Sequence, residues 1–105
     1  MILTLGIYDE FGSFCGNGEA ALRFRRERID PYINLAERIE LDFARVRNAN
    51  SSFCNALVAN LIEQNSPALL PRLKFLNCSP QLQVMLRSAV DLGLSRLEHQ
   101  GAQLG

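Results

Sequence analysis

Residues Ile39 to Ile62, IELDFARVRNANSSFCNALVANLI, constrain the fold more than any other part of the chain. Ile39, Leu41 and Phe43 alternate with Glu40 and Asp42, the two-residue period of a strand with one buried face. A short polar loop follows. Ser51-Ser52 then opens an apolar stretch in which Phe53, Leu57 and Leu61 form one stripe beside Cys54, Val58 and Ile62 at helical spacing. The order is strand, turn, helix start. A helix N-terminus carries unpaired backbone N–H groups and partial positive charge, so a hydroxyl or phosphate placed there is held electrostatically. A functional site is expected at this junction.

The remainder of the chain repeats the alternation. Met1 to Ile7 is rich in β-formers and reads as a first strand, and the glycines of the Tyr8 to Gly18 stretch predict a loop. Glu19 to Glu37 is helical in composition, with a break or kink expected at Asp30-Pro31. Arg38 to Phe43 is the second strand, and the helix that starts at Ser51 or Ser52 ends at Asn65-Ser66-Pro67. Leu73 to Asn77 reads as a third strand. Ser79-Pro80 caps a last helix, for which Gly93 is a stop signal. Gly101 to Gly105 is expected to be a mobile tail. Strands alternating with helices over short connections imply an α/β sandwich, with right-handed crossovers laying helices on a mostly parallel or mixed sheet. Three to five short strands and three to four helices satisfy the pattern. Ligand sites in such sheets gather beyond the carboxyl ends of the strands, which would bring together the Tyr8 to Gly18 loop, the Ala44 to Ser51 loop and Cys78-Ser79.

At 105 residues the chain reads as one domain, residues 1–100 before the tail. Eleven basic residues balance eleven acidic ones, so no global field draws the protein to nucleic acid or an anionic membrane. MILTLGIYDE lacks a basic flank, and no apolar run approaches the roughly 20 residues that span a bilayer, so a cytoplasmic, membrane-free protein is expected. Cys15, Cys54 and Cys78 are widely spaced and odd in number, and with His99 they form no metal-ligand spacing. Neither metal nor cofactor is expected. Cys54 reads as a core residue and Cys15 as an exposed thiol.

Leu41-Asp42, the loop after it and Asn50-Ser51-Ser52 resemble the strand and helix-opening serines of anti-sigma-factor antagonist (STAS) domains. The chain is still more similar to the STAS-like family of unknown function, through Gly18-Glu19 ahead of Phe24-Arg25, Ser51-Ser52-Phe53, and the LKFLNCSPQLQVML segment. The resemblance spans roughly Gly18 to Leu94. Asn50 stands where the STAS pattern has an acid, and Phe53 where it has glycine. The resemblance implies a non-enzymatic regulatory module that binds other proteins and is switched by phosphorylation of the first serine. Its implied partner is a GHKL-type ATPase or kinase, or another regulator.

The candidate phosphoacceptors are therefore Ser51 and Ser52. Each also has a plain structural role, since a serine at a helix N-cap accepts a backbone N–H and contributes about 1 kcal/mol. Arg45 and Arg47 in the preceding loop are placed to give a phosphate charge-assisted hydrogen bonds. With Asn50 and the helix positions Asn55, Asn60 and Glu63, read as solvent-facing, they make up the candidate partner-binding set. An edge strand in so small a sheet is open to pairing with a second copy, a homodimer.

Two other classes compete. Arg23, Arg25, Arg26 and Arg28 raise a nucleic-acid or defence-associated accessory domain acting through the first helix. A helix spreads such arginines around its circumference, Glu19, Glu27 and Asp30 interrupt them, and no aromatic residues are interleaved for stacking, so a solvated, ion-paired face is expected. An enzyme would need a base near Ser51. Glu40 and Asp42 share a strand face in the manner of a polar surface, the lone histidine is distant, and the Gly16 to Gly18 stretch lacks a phosphate-loop lysine, so no catalytic residue is assigned.

Overall fold

A computed structural model describes residues 1–104, with side chains through His99. Three parallel strands, β1 (Ile2–Gly6), β3 (Arg38–Asp42) and β5 (Leu73–Leu76), form a sheet in the order β1-β3-β5. Each strand steps onto the next in one direction, and right-handed crossovers then place both connections on the same face. Burial follows this. Leu5, Ile39, Leu41 and Leu73 point into the core, while the opposite face carries Thr4, Arg38 and Glu40, joined by a Thr4 to Glu40 hydrogen bond and an Arg38–Glu40 ion pair.

The stretch from Tyr8 to Gly18 is not the irregular loop its glycines predict. It folds into a short helix α1 (Ile7–Phe11) and a two-residue strand β2 (Phe14–Cys15), which pairs in parallel with β4 (Asn48–Ala49). Ladder bonds between segments distant in sequence leave no local periodicity to read. Cys15 is consequently buried, not exposed, and burial pushes its thiol up to about 11.

Helix α2 (Gly18–Phe24) runs through a π turn at Arg25–Ile29 into a 3-10 turn at Asp30–Tyr32, so the irregularity expected at Asp30-Pro31 tightens the helix and ends it before Glu37. The arginine-rich face is not wholly solvated. Arg25 is only 1% exposed: its guanidinium donates to Gln64 Oε1 at 3.2 Å and pairs with Asp30 at 3.6 Å. Arg28 pairs with Glu10, leaving Arg23 and Arg26 exposed.

The central helix begins with α3 (Ser51–Cys54), passes through a π stretch at Asn55–Ala59 and ends as α4 (Asn60–Glu63). Phe53, Cys54, Leu57, Val58, Leu61 and Ile62 are all fully buried, as both of its apolar stripes require. A helix apolar over so wide an arc packs on several sides, here against α2 and the last helix, α5 (Pro80–Leu104). Gly93 does not stop α5. It lies mid-helix where α5 crosses the central helix closely. The expected tail from Gly101 begins inside α5, and Gly105 lies outside the described residues.

Candidate functional site

The carboxyl ends of β1, β3 and β5 converge on one edge, where three local devices shape the surface. Beyond β3, the Asp42 carboxylate accepts the Ala44 N–H and the Asn77 side-chain amide, each at 2.9 Å, so one group ties the exits of β3 and β5 together. These two donors, Asn77 first, hold the Asp42 carboxyl below its ordinary value. Val46 N–H then donates to Phe43 O at 3.0 Å, closing a β-turn with Arg45 in third place at φ 73°. Glycine or asparagine is the usual occupant of such a position, because a Cβ is strained in the left-handed region. Arg45 lays its guanidinium 4.2 Å from the Tyr8 ring centroid.

The second device fixes Arg47. Its N–H donates to Ser13 O at 2.8 Å and its own carbonyl accepts from the Ser79 hydroxyl at 3.4 Å, so loops from three strands clamp its backbone. Ser79 also caps α5 by accepting the Leu82 N–H at 3.2 Å. Between these pieces lies an open groove of about 990 Å³, lined by Tyr8, Ser13, Arg45, Val46, Arg47, Asn48, Ser79 and Gln81. The three loops expected to meet at this edge do meet.

The third device is the start of the central helix. The cap is Asn50, not a serine: its Oδ1 accepts the Phe53 N–H at 2.9 Å while its Nδ2 donates to Gly16 O at 3.0 Å. An amide does both, whereas a carboxylate would oppose the Gly16 carbonyl. Asn50 thus accounts for the departure from an acid at this position. Ser51 and Ser52 become the first two residues of the helix, both exposed. They differ in surroundings. A Cβ on Gly18 would sit 2.5 Å from Ser52 Oγ, so Ser52 is packed against the start of α2; neither serine Oγ makes a hydrogen bond among the described residues.

Not every candidate side chain joins this surface. Arg45 and Arg47 line the groove, and Ser51 is not among its lining residues. Asn55, Asn60 and Glu63 are half-buried, not solvent-facing. Asn60 Oδ1 is buried without a hydrogen-bond partner among the described residues, and Glu63 accepts from Arg96 at 3.4 Å. Tyr8, Ser13 and Gln81 were not individually legible as groove residues. Their contribution depends on the β2–β4 pairing and on where α5 begins.

Among the described residues no helix is long and apolar enough to cross a membrane. Cys54 is buried and its thiol is pushed up to about 11; Cys78, half-buried, is raised as well.

Neither a curated protein nor a solved structure gives a significant match to the chain. A family profile described as a STAS-like domain of unknown function matches residues 20–83. The match takes in most of α2, β3, the Arg45 to Asn48 turn, the serine pair, β5 and the first turn of α5, while β1, Tyr8 and Ser13 precede it. With more than half its length covered and an α/β architecture of the expected size, the chain belongs to the family of STAS-like domains of unknown function.

Proposed function

We propose that this STAS-like domain is a non-enzymatic regulatory module that binds another protein and is switched by phosphorylation of Ser51. One observation carries the reading: Ser51 stands exposed at the first position of the central helix with its hydroxyl unbonded, while Ser52 beside it is packed against Gly18. A phosphate on Ser51 would meet the unpaired N–H groups of the first turn and the positive end of the helix dipole. A partner seated over the helix start would in turn meet about two new negative charges, enough to release an apolar or acidic contact. The partner class is a GHKL-type ATPase or kinase. Self-association is part of the same proposal, since β1 is an edge strand with Ile2 exposed.

The test is incubation with such a kinase and ATP, read by intact mass and peptide mapping. A single phosphate on Ser51, lost in Ser51→Ala and accompanied by a change in partner binding, is the expected result. Phosphate on a different residue, or partner binding that ignores the modification, would remove Ser51 from the mechanism. Light scattering of the isolated chain reads the oligomeric state.

A further inference from the structure

We infer that the groove at the carboxyl edge of the sheet is a binding site for a small, hydroxyl-rich phosphate monoester, with Arg45 and Arg47 holding the phosphate. The site is separate from Ser51 and stands without the phosphorylation proposal.

Charge is the first argument. Two guanidiniums line the groove and no carboxylate does. Neither arginine takes part in an ion pair among the described residues, although Glu10, Asp30, Glu37, Glu40 and Glu63 all have cationic partners. Asp9 and Asp42 lie in a smaller hollow beside Tyr8 and Arg45, but Asp42 is already engaged by Ala44 and Asn77. Two arginines without counterions in one concavity match the charge of a phosphate monoester, and the guanidinium fork matches its oxygens.

Preorganisation is the second. Arg47 has its backbone clamped by Ser13 and Ser79, and Arg45 is held over the Tyr8 ring. Arg45 occupies a left-handed turn position for which glycine is the unstrained choice. The strained residue lines the groove, its guanidinium resting on Tyr8 and donating to the Tyr8 hydroxyl at 3.5 Å, and functional sites are where such strain is commonly found.

Lining chemistry is the third. Apart from Val46 the groove is polar: the Ser13 hydroxyl and the Asn48 and Gln81 amides line it. The Tyr8 hydroxyl accepts from Arg45 and keeps its own proton to donate, and the Ser79 hydroxyl is committed to Arg47 O and Leu82 N–H. A flat apolar ligand would find little surface to stack on, since the Tyr8 face is already covered by Arg45. A compact body bearing several hydroxyls would find donors and acceptors at Tyr8, Ser13, Asn48 and Gln81, and the groove has ample volume for it.

The experiment titrates the isotopically labelled full chain with ribose 5-phosphate, inorganic phosphate and ribose, following backbone amide shifts. Ribose 5-phosphate is expected to shift the amides of Arg47, Asn48 and Gln81 saturably, inorganic phosphate to do so more weakly, and ribose alone to leave them in place. Arg45→Gly, which suits the left-handed backbone, and Arg47→Gln are each expected to weaken binding at least about tenfold, the loss of one charge-assisted contact. Arg23→Gln, outside the groove, and Ser51→Ala should leave it unchanged. Absence of saturable shifts in the millimolar range, shifts centred elsewhere, or equal binding by the wild type and both groove variants would overturn the assignment. Tighter competition by a phosphoserine peptide would overturn the small-molecule reading and assign the groove to a protein-borne phosphate.

Discussion

Gly93 and Ala59 pack backbone against backbone: a Cβ built on Gly93 would lie 2.8 Å from the Ala59 carbonyl oxygen and 2.9 Å from Ile62 Cβ. The close crossing of α5 over the central helix depends on that missing methyl. Alanine is the better helix former by about 1 kcal/mol, so an exposed Gly93→Ala change would stabilise. Here the overpacking of a contact that includes backbone outweighs propensity, and Gly93→Ala is expected to destabilise by about 1–2 kcal/mol. Urea denaturation of the two proteins measures the sign directly.

Asn50 couples the start of the central helix to the turn before α2. Asn50→Ala removes the acceptor for Phe53 N–H and the donor to Gly16 O, and is expected to cost about 1–2 kcal/mol. Asn50→Asp restores the cap but turns a carboxylate oxygen toward the Gly16 carbonyl, so it should recover only part of the loss. Thermal melts of the three proteins at neutral pH give the ranking.

Arg25 is the one buried charged side chain among the described residues, and it joins the π turn after α2 to Gln64 at the end of the central helix. Truncation to alanine leaves a void and two stranded partners, at an expected cost of about 2–4 kcal/mol, moderated because Asp30 is partly exposed. Arg25→Lys should restore only part of the loss, since Nη1 makes both contacts and a lysine puts a more strongly hydrated ammonium on a shorter side chain in its place. Denaturant midpoints of both variants check this.

Asp42 predicts a pH dependence. Its carboxyl is held below its ordinary value by Asn77 and Ala44, so the ionised form is favoured in the folded state. Stability from this group is therefore present above the unfolded carboxyl value and is lost as pH falls through the lower folded value. Asp42→Asn should flatten the acid limb of a stability-against-pH curve. An unaltered acid limb would show that Asp42 does not join the two strand exits energetically.

The cysteines differ in access. Cys15 and Cys54 are buried with thiols raised to about 11, whereas Cys78 is half-buried. A thiol-disulfide reagent at neutral pH should modify Cys78 first in the native protein and all three in denaturant. Fast native labelling of Cys15 would contradict the β2–β4 pairing that covers it.

Period and punctuation in the sequence determined β1, β3, β5, the central helix, the capping of α5 by Ser79 and the edge at which the loops meet. Those features rest on contacts near in sequence or on alternation that a one-sided sheet imposes, and such patterns survive in a linear string. Tertiary structure alone decided the rest. The β2–β4 ladder joins segments more than thirty residues apart and buries Cys15. Gly93 reads as a stop only until Ala59 is known to lie against it. A buried Arg25 looks like its exposed neighbours until Gln64 arrives from the next helix, and Asn60 reads as solvent-facing until α5 packs along the central helix and its Oδ1 is buried. In each case the deciding energy is a close approach or a desolvated polar contact between residues remote in sequence, and no local pattern encodes it.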